Sequence, residues 1–101
     1  MSIWTFDCDG VICSTQGTDY TNSKPDYEII EKINKLYDSE NEIWIFTGRG
    51  SVSGMDWKAV TEFQLKEWGV KYHKLIMGKP PFDFFVDDKT WNVRDFRESR
   101  I

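Results

Sequence analysis

Short β-rich runs alternate with helix-period segments along this chain, and that alternation limits the fold more than any other feature. Residues 2–6 and 42–46 (EIWIF) are rich in β-branched and aromatic side chains, and residues 70–77 and 82–86 (FDFFV) are two further runs. Between the first two, residues 25–39 place Ile29, Ile30, Ile33, Leu36 and Tyr37 at helical spacing. Pro25 suits the helix start, where its missing N–H has no helical partner. Residues 57–68 repeat the pattern with Val60, Phe63 and Trp68, with Asp56 as N-cap and Gly69 as stop. A last short helix is expected over residues 91–99. Strand, helix, strand, helix, strand, strand, helix reads as an α/β layered fold with a parallel sheet.

Such sheets cross over right-handedly and bind ligands beyond the carboxyl ends of their strands. Asp7, Thr47 and Asp87 each follow an expected strand, so all three are expected to point into one crevice. Residues 11–24 (VICSTQGTDYTNSK) are polar and without period, and so long a loop in 101 residues reads as functional. The length fits a single domain, 1–101, with a modest core. Net charge is −4 with no block of like sign, which counts against nucleic acid as a partner. No apolar run nears the ~18 residues of a membrane helix and no leader opens the chain, so a cytoplasmic protein without membrane contact is expected. Cys8 and Cys13 read as reduced thiols, with Cys8 a packing residue. Nothing stands near the only histidine, His73, at metal-ligand spacing.

Four elements then stand together. FDCDG holds Asp7 and Asp9, FTGRG holds Thr47 and Arg49, GKPPFD holds Lys79, and FVDDK holds Asp87 and Asp88. Several carboxylates in one crevice call for a hard cation, and Mg²⁺ fits oxygen ligands. In kind and order the four elements resemble the haloacid dehalogenase-like superfamily of phosphohydrolases. The resemblance implies a small Rossmann-like, three-layer fold with a central, mainly parallel sheet of about four strands and no cap domain. It also implies a Mg²⁺-dependent phosphomonoesterase working through a phospho-aspartate. By the same resemblance Asp7 is the nucleophile, and Asp9 is the acid–base that also offers its backbone carbonyl to the metal. Thr47 and Lys79 bind the phosphoryl group, Asp87 ligates the metal with Asp7, and Asp88 holds metal-bound water or orients Lys79. Gly48, Arg49, Asp19 and Tyr20 are candidate substrate contacts, although Arg49 also reads as a surface residue.

The chain departs from the superfamily at Val11, where threonine is common, and residues 11–24 leave room for a flap rather than a cap. An open site implies a large or terminal phosphate, or a second copy of the chain covering it. The stretch TGRGSVSGMDW followed by QLKEWGVKYHKLIMGKPPFDFFVDDK resembles small phosphatases of capsule polysaccharide biosynthesis, implying a sugar phosphate or related precursor. A nucleic-acid end phosphatase on the same scaffold is the enzymatic alternative. A receiver domain that stops at one phosphoryl group, or a phosphate-binding module without catalysis, are the readings from other classes.

Overall fold

The first and second β-rich runs form β1 (Ile3–Asp7) and β4 (Glu42–Thr47), which pair in parallel with Trp4 beside Ile43 and Phe6 beside Ile45. The computed structural model describes residues 1–50, 54 and 56–101; residues 51–53 and 55, inside the TGRGSVSGMDW stretch, lie outside the described residues. β4 pairs in parallel with β5 (Lys74–Met77), giving the order β1-β4-β5. Alternation along the strands separates two faces. Phe6, Ile43 and Ile45 are buried, whereas Ile3 is exposed and Trp44 half-buried.

The buried face meets α1 (Tyr27–Asp38) through Ile29, Ile30, Ile33 and Leu36. Leu65 of α2 (Lys58–Glu67) and Phe96 of α3 (Val93–Arg97) join the same core, with the Phe96 ring 5.1 Å from that of Phe6. Each fully buried isoleucine contributes roughly 1.5–3 kcal/mol of transfer free energy. The α/β class with a parallel sheet is as expected.

Three local expectations are corrected. The run at 82–86 is not a strand: Phe84 is 91% and Val86 95% exposed, so among the described residues the sheet has three strands where about four were expected. Its rings find each other rather than the sheet, Phe82 and Phe85 lying 5.3 Å apart. The preceding Pro80 and Pro81 offer no N–H to a ladder. Pro25 does not open α1; it belongs to β3 (Lys24–Pro25), paired antiparallel with β2 (Cys13–Ser14). Asp26 caps the helix instead, its side chain accepting from the Ile29 N–H at 3.3 Å. Residues 70–73 do not extend β5, because Val70 closes the end of α2 with its N–H on the Leu65 carbonyl at 2.9 Å.

Residues 11–24 are more ordered than their sequence implies. Besides β2 and the start of β3 they hold a 3-10 turn, Tyr20–Asn22. Among the described residues no helix is long and apolar enough to cross a membrane.

Candidate active site

Asp7 and Thr47 are the last residues of neighbouring parallel strands, so both sit at the carboxyl edge of the sheet. Beyond β5, Gly78 takes φ +88, a left-handed conformation that glycine adopts without steric cost. The turn lays the Lys79 N–H on the Thr47 carbonyl at 3.0 Å. From there the Lys79 ammonium reaches Asp7, its Nζ 2.8 Å from Oδ2. The other Asp7 oxygen accepts the Cys8 N–H at 2.8 Å, so the carboxylate is held at both ends.

Asp9 faces elsewhere because the chain reverses immediately after it. Gly10 has φ +91, and the N–H groups of Ile12 and Cys13 return to the Cys8 carbonyl at 2.9 and 3.1 Å. The Asp9 carboxylate accepts from Arg49 through Nη2 at 2.9 Å and Nε at 3.0 Å, and from the Thr15 hydroxyl at 2.6 Å. Burial pushes its pKa up, but the bonds from Arg49 and Thr15 more than offset that and hold it below the ordinary aspartate value. Burial likewise works against the charge of Arg49, and Asp9 restores it, raising the guanidinium above its usual value. The two acids one residue apart are thus each paired with a different base.

Arg49 is a buried residue, not a surface one, at 2% exposure. Its Nη1 donates to Gln64 Oε1 at 2.6 Å and to Thr61 Oγ1 at 3.2 Å, and its Nη2 donates to Ser23 Oγ at 3.3 Å. The Tyr20 ring lies over the guanidinium at 4.8 Å, an arrangement favourable for a cation on a π face. Gln64 Nε2 donates to the Tyr20 carbonyl at 2.6 Å, tying residues 11–24 to α2. Among the described residues no buried side-chain nitrogen or oxygen lacks a partner.

The structure therefore gathers Asp7, Asp9, Thr47, Arg49, Lys79 and Tyr20. Thr47 is fully buried, its hydroxyl oxygen accepting the Arg49 N–H at 3.2 Å across Gly48. Asp87 and Asp88 are exposed and interact with one another, which lowers Asp87 and raises Asp88 from the usual carboxyl range. They do not join the Asp7 and Asp9 pairs. Among the described residues one group of three metal-ligating side chains comes together within 4.8 Å, and it is Cys8, Asp9 and Cys13. Asp19 is exposed and, among the described residues, its carboxylate accepts from its neighbour Asn22 at 3.0 and 3.1 Å. His73 accepts the Ile43 N–H at its Nδ1 and stacks on Tyr37, a structural role.

Thr15, Ser23, Thr61 and Gln64 carry site contacts that the sequence reading missed. A signal existed for two of them. Thr61 and Gln64 stand three apart on α2, in phase with buried Leu65, whereas Phe63 is 65% exposed. The helix turns its polar pair inward because Arg49 demands oxygen acceptors there.

No family model matches the sequence, and no curated protein matches it. Two solved structures do. A crystal structure of a target protein from Vibrio cholerae aligns with TM-score 0.91 and 22% identity, over 100% of this chain and 91% of that one. The D,D-heptose 1,7-bisphosphate phosphatase from B. bronchiseptica, complexed with magnesium and phosphate, aligns with TM-score 0.60 and 17% identity, over 89% of this chain. The chain spans about half of that phosphatase, 54% of its length. These likenesses establish the fold as α/β and Rossmann-like.

Proposed function

We propose that this chain is a phosphomonoesterase that transfers the phosphoryl group to Asp7 and then to water. The observation that carries the reading is the pair of separately neutralised carboxylates at the sheet's carboxyl edge, Asp7 on Lys79 and Asp9 on Arg49. A nucleophilic carboxylate needs a neighbouring cation to approach a phosphate dianion, and a proton carrier needs a fixed position beside it.

In this reading an oxygen of Asp7 attacks phosphorus as the bond to the leaving oxygen breaks. Lys79 holds Asp7 and balances charge on the phosphoryl oxygens, and nearby backbone N–H groups donate to them. The Thr47 hydroxyl, fully buried here on the Arg49 N–H, would have to be uncovered to join them. Asp9, ionised on Arg49 in this structure, acts as the base that takes a proton from the water attacking the phospho-aspartate. It gives a proton to a leaving oxygen only after taking one up with the Arg49 contact loosened. The Asp7 carboxylate and the Asp9 backbone carbonyl are the oxygen donors that would hold Mg²⁺, and their chemistry suits it. Asp87 and Asp88, exposed and apart from them here, would have to approach to complete the set. The Asp7 side chain remains 34% exposed, leaving it able to accept such a ligand. When bound, the cation supplies Lewis-acid neutralisation of the phosphoryl oxygens.

A sugar phosphate or related precursor of polysaccharide synthesis is the proposed substrate class. The likeness to a phosphatase of a sugar bisphosphate supports it, as does the flap-sized segment at the site. Release of inorganic phosphate from an aryl phosphate tests the reaction. The protein is expected to turn over many times per chain with Mg²⁺ and to lose activity with a chelator. Asp7→Asn is expected to reduce the rate by ~10³ or more. Undiminished turnover in that variant would remove Asp7 from its role, and release stopping at one phosphate per chain would favour a receiver. A panel of sugar phosphates, nucleotides and end-phosphorylated oligonucleotides then ranks the substrates.

A further inference from the structure

Cys8 and Cys13 bracket the turn that carries Asp9, and their sulfurs lie 4.0 Å apart. Neither is in a disulfide. Their backbones are already joined, the Cys13 N–H bonding the Cys8 carbonyl at 3.1 Å, and Cys13 Sγ also approaches that carbonyl at 3.6 Å. Closure to the ~2.05 Å of a disulfide asks for side-chain rotation and a small adjustment of one turn. Cys8 is fully buried and Cys13 is 2% exposed, so a small oxidant reaches the pair through local opening of the turn, beside which Cys13, Gly10, Val11, Ser14 and Tyr27 line a pocket of about 400 Å³. Cys13 Sγ also lies 3.4 Å from Asp9 Oδ1 and 3.6 Å from Arg49 Nη2. The guanidinium already supplies positive charge to these donors, so the group is better suited to thiol chemistry than to holding a further cation.

We propose that Cys8 and Cys13 are an oxidisable pair whose intramolecular disulfide tightens the Asp9 turn and silences the site. With a hydroperoxide as oxidant, the Cys13 sulfur attacks the peroxide oxygen and the O–O bond breaks. The departing oxygen leaves as water or alcohol with the thiol proton, and Cys13 becomes a sulfenic acid. The Cys8 sulfur then attacks the Cys13 sulfur, the S–O bond breaks, and the hydroxyl leaves as water with the Cys8 proton. Two thiols lose two electrons and the peroxide gains them. The disulfide removes the Cys13 S–H from Asp9 and shifts the turn on which Asp9 is held by Arg49. The silencing rests on the phosphatase reading, whereas the pairing does not.

The test treats the folded protein with hydrogen peroxide, then measures intact mass and counts thiols by alkylation in denaturant. A loss of 2 Da per chain with no alkylatable thiol, reversed by dithiothreitol, is the expected result. Two alkylatable thiols after treatment, or a disulfide-linked dimer, would overturn the pairing. Gains of 16 Da are assigned to sulfoxide at the three methionines, and the 2 Da difference is read between samples before and after dithiothreitol. Cys8→Ser, which keeps the backbone N–H to Asp7, and Cys13→Ala should each show no 2 Da loss. Phosphate release from the aryl phosphate is expected to fall at least tenfold on oxidation and to return with dithiothreitol. A 2 Da loss with unchanged release overturns the silencing, while absent release before oxidation counts against the phosphatase reading alone.

Discussion

Arg49 concentrates the energetic risk of this molecule in one side chain. A buried guanidinium is tolerated only where its donors are met, and Asp9, Thr61, Gln64 and Ser23 meet them while Tyr20 covers its face. Arg49→Met leaves Asp9 partly buried without its cation, together with the oxygens of Thr61 and Gln64. We expect a loss of about 3–5 kcal/mol, measured by urea unfolding. Arg49→Lys should recover only a small part, because an ammonium cannot span acceptors on both the turn and α2. A variant as stable as the parent would show that the pair contributes nothing net.

At the scale of elements, α1 and α3 are joined by charge as well as by core packing. Arg97 of α3 bonds the N-cap Asp26 at 2.5 Å and Glu28 at 2.8 Å, while Lys32 of α1 donates to the carbonyls of Ser99 and Ile101. The Arg97 bond, helped by the Ile29 N–H, holds the Asp26 carboxyl below the ordinary aspartate value. A lowered folded pKa means stability that is present above the unfolded value of ~3.9 and is lost as pH falls through the folded one. The affected window therefore lies in acid, below about pH 4. Asp26→Asn keeps a capping oxygen but removes the charge, so it should cost about 0.5–1 kcal/mol at pH 7 and progressively less toward pH 3. Urea midpoints of parent and variant at the two pH values give the comparison, and a constant gap would contradict the assignment.

For the molecule as a whole, stability resides in a three-stranded sheet and the helices on its buried face. Ile45 sits at the centre of that core with no exposure, and Ile45→Ala should cost about 2–5 kcal/mol by transfer and cavity terms together. Phe84 lies outside it, and Phe84→Ser should change stability by no more than about 0.5 kcal/mol. Chemical denaturation of the two proteins separates the cases. A costly Phe84→Ser would mean that residues 82–86 are packed on the sheet after all.

Much of this architecture was legible in the chain because its causes are local. β-rich runs marked β1 and β4, and an apolar period of about 3.6 residues marked α1, since that period records which side chains one face must bury. The placing of Asp7 and Thr47 together was legible too, because parallel strands deliver the residues at their carboxyl ends to one edge, whereas Asp87, expected beside them, follows no strand and lies apart. What the sequence determined by itself was therefore the α/β class and the presence of Asp7 and Thr47 at that edge. Which group pairs with which was decided by the tertiary structure. Asp7 and Asp9 differ by one residue, yet a left-handed Gly10 and the return of the chain to Cys8 send them to Lys79 and Arg49, 72 and 40 residues away. Arg49 could be read as surface or site until burial obliged it to find acceptors on α2, and that need turned Thr61 and Gln64 inward while Phe63 faced solvent. The run at 82–86 has strand composition but no ladder, because pairing depends on a neighbour's free edge and on burial, neither of which composition encodes. Local propensity is written in adjacent residues; partner choice and burial arise only when distant segments compete for the same space.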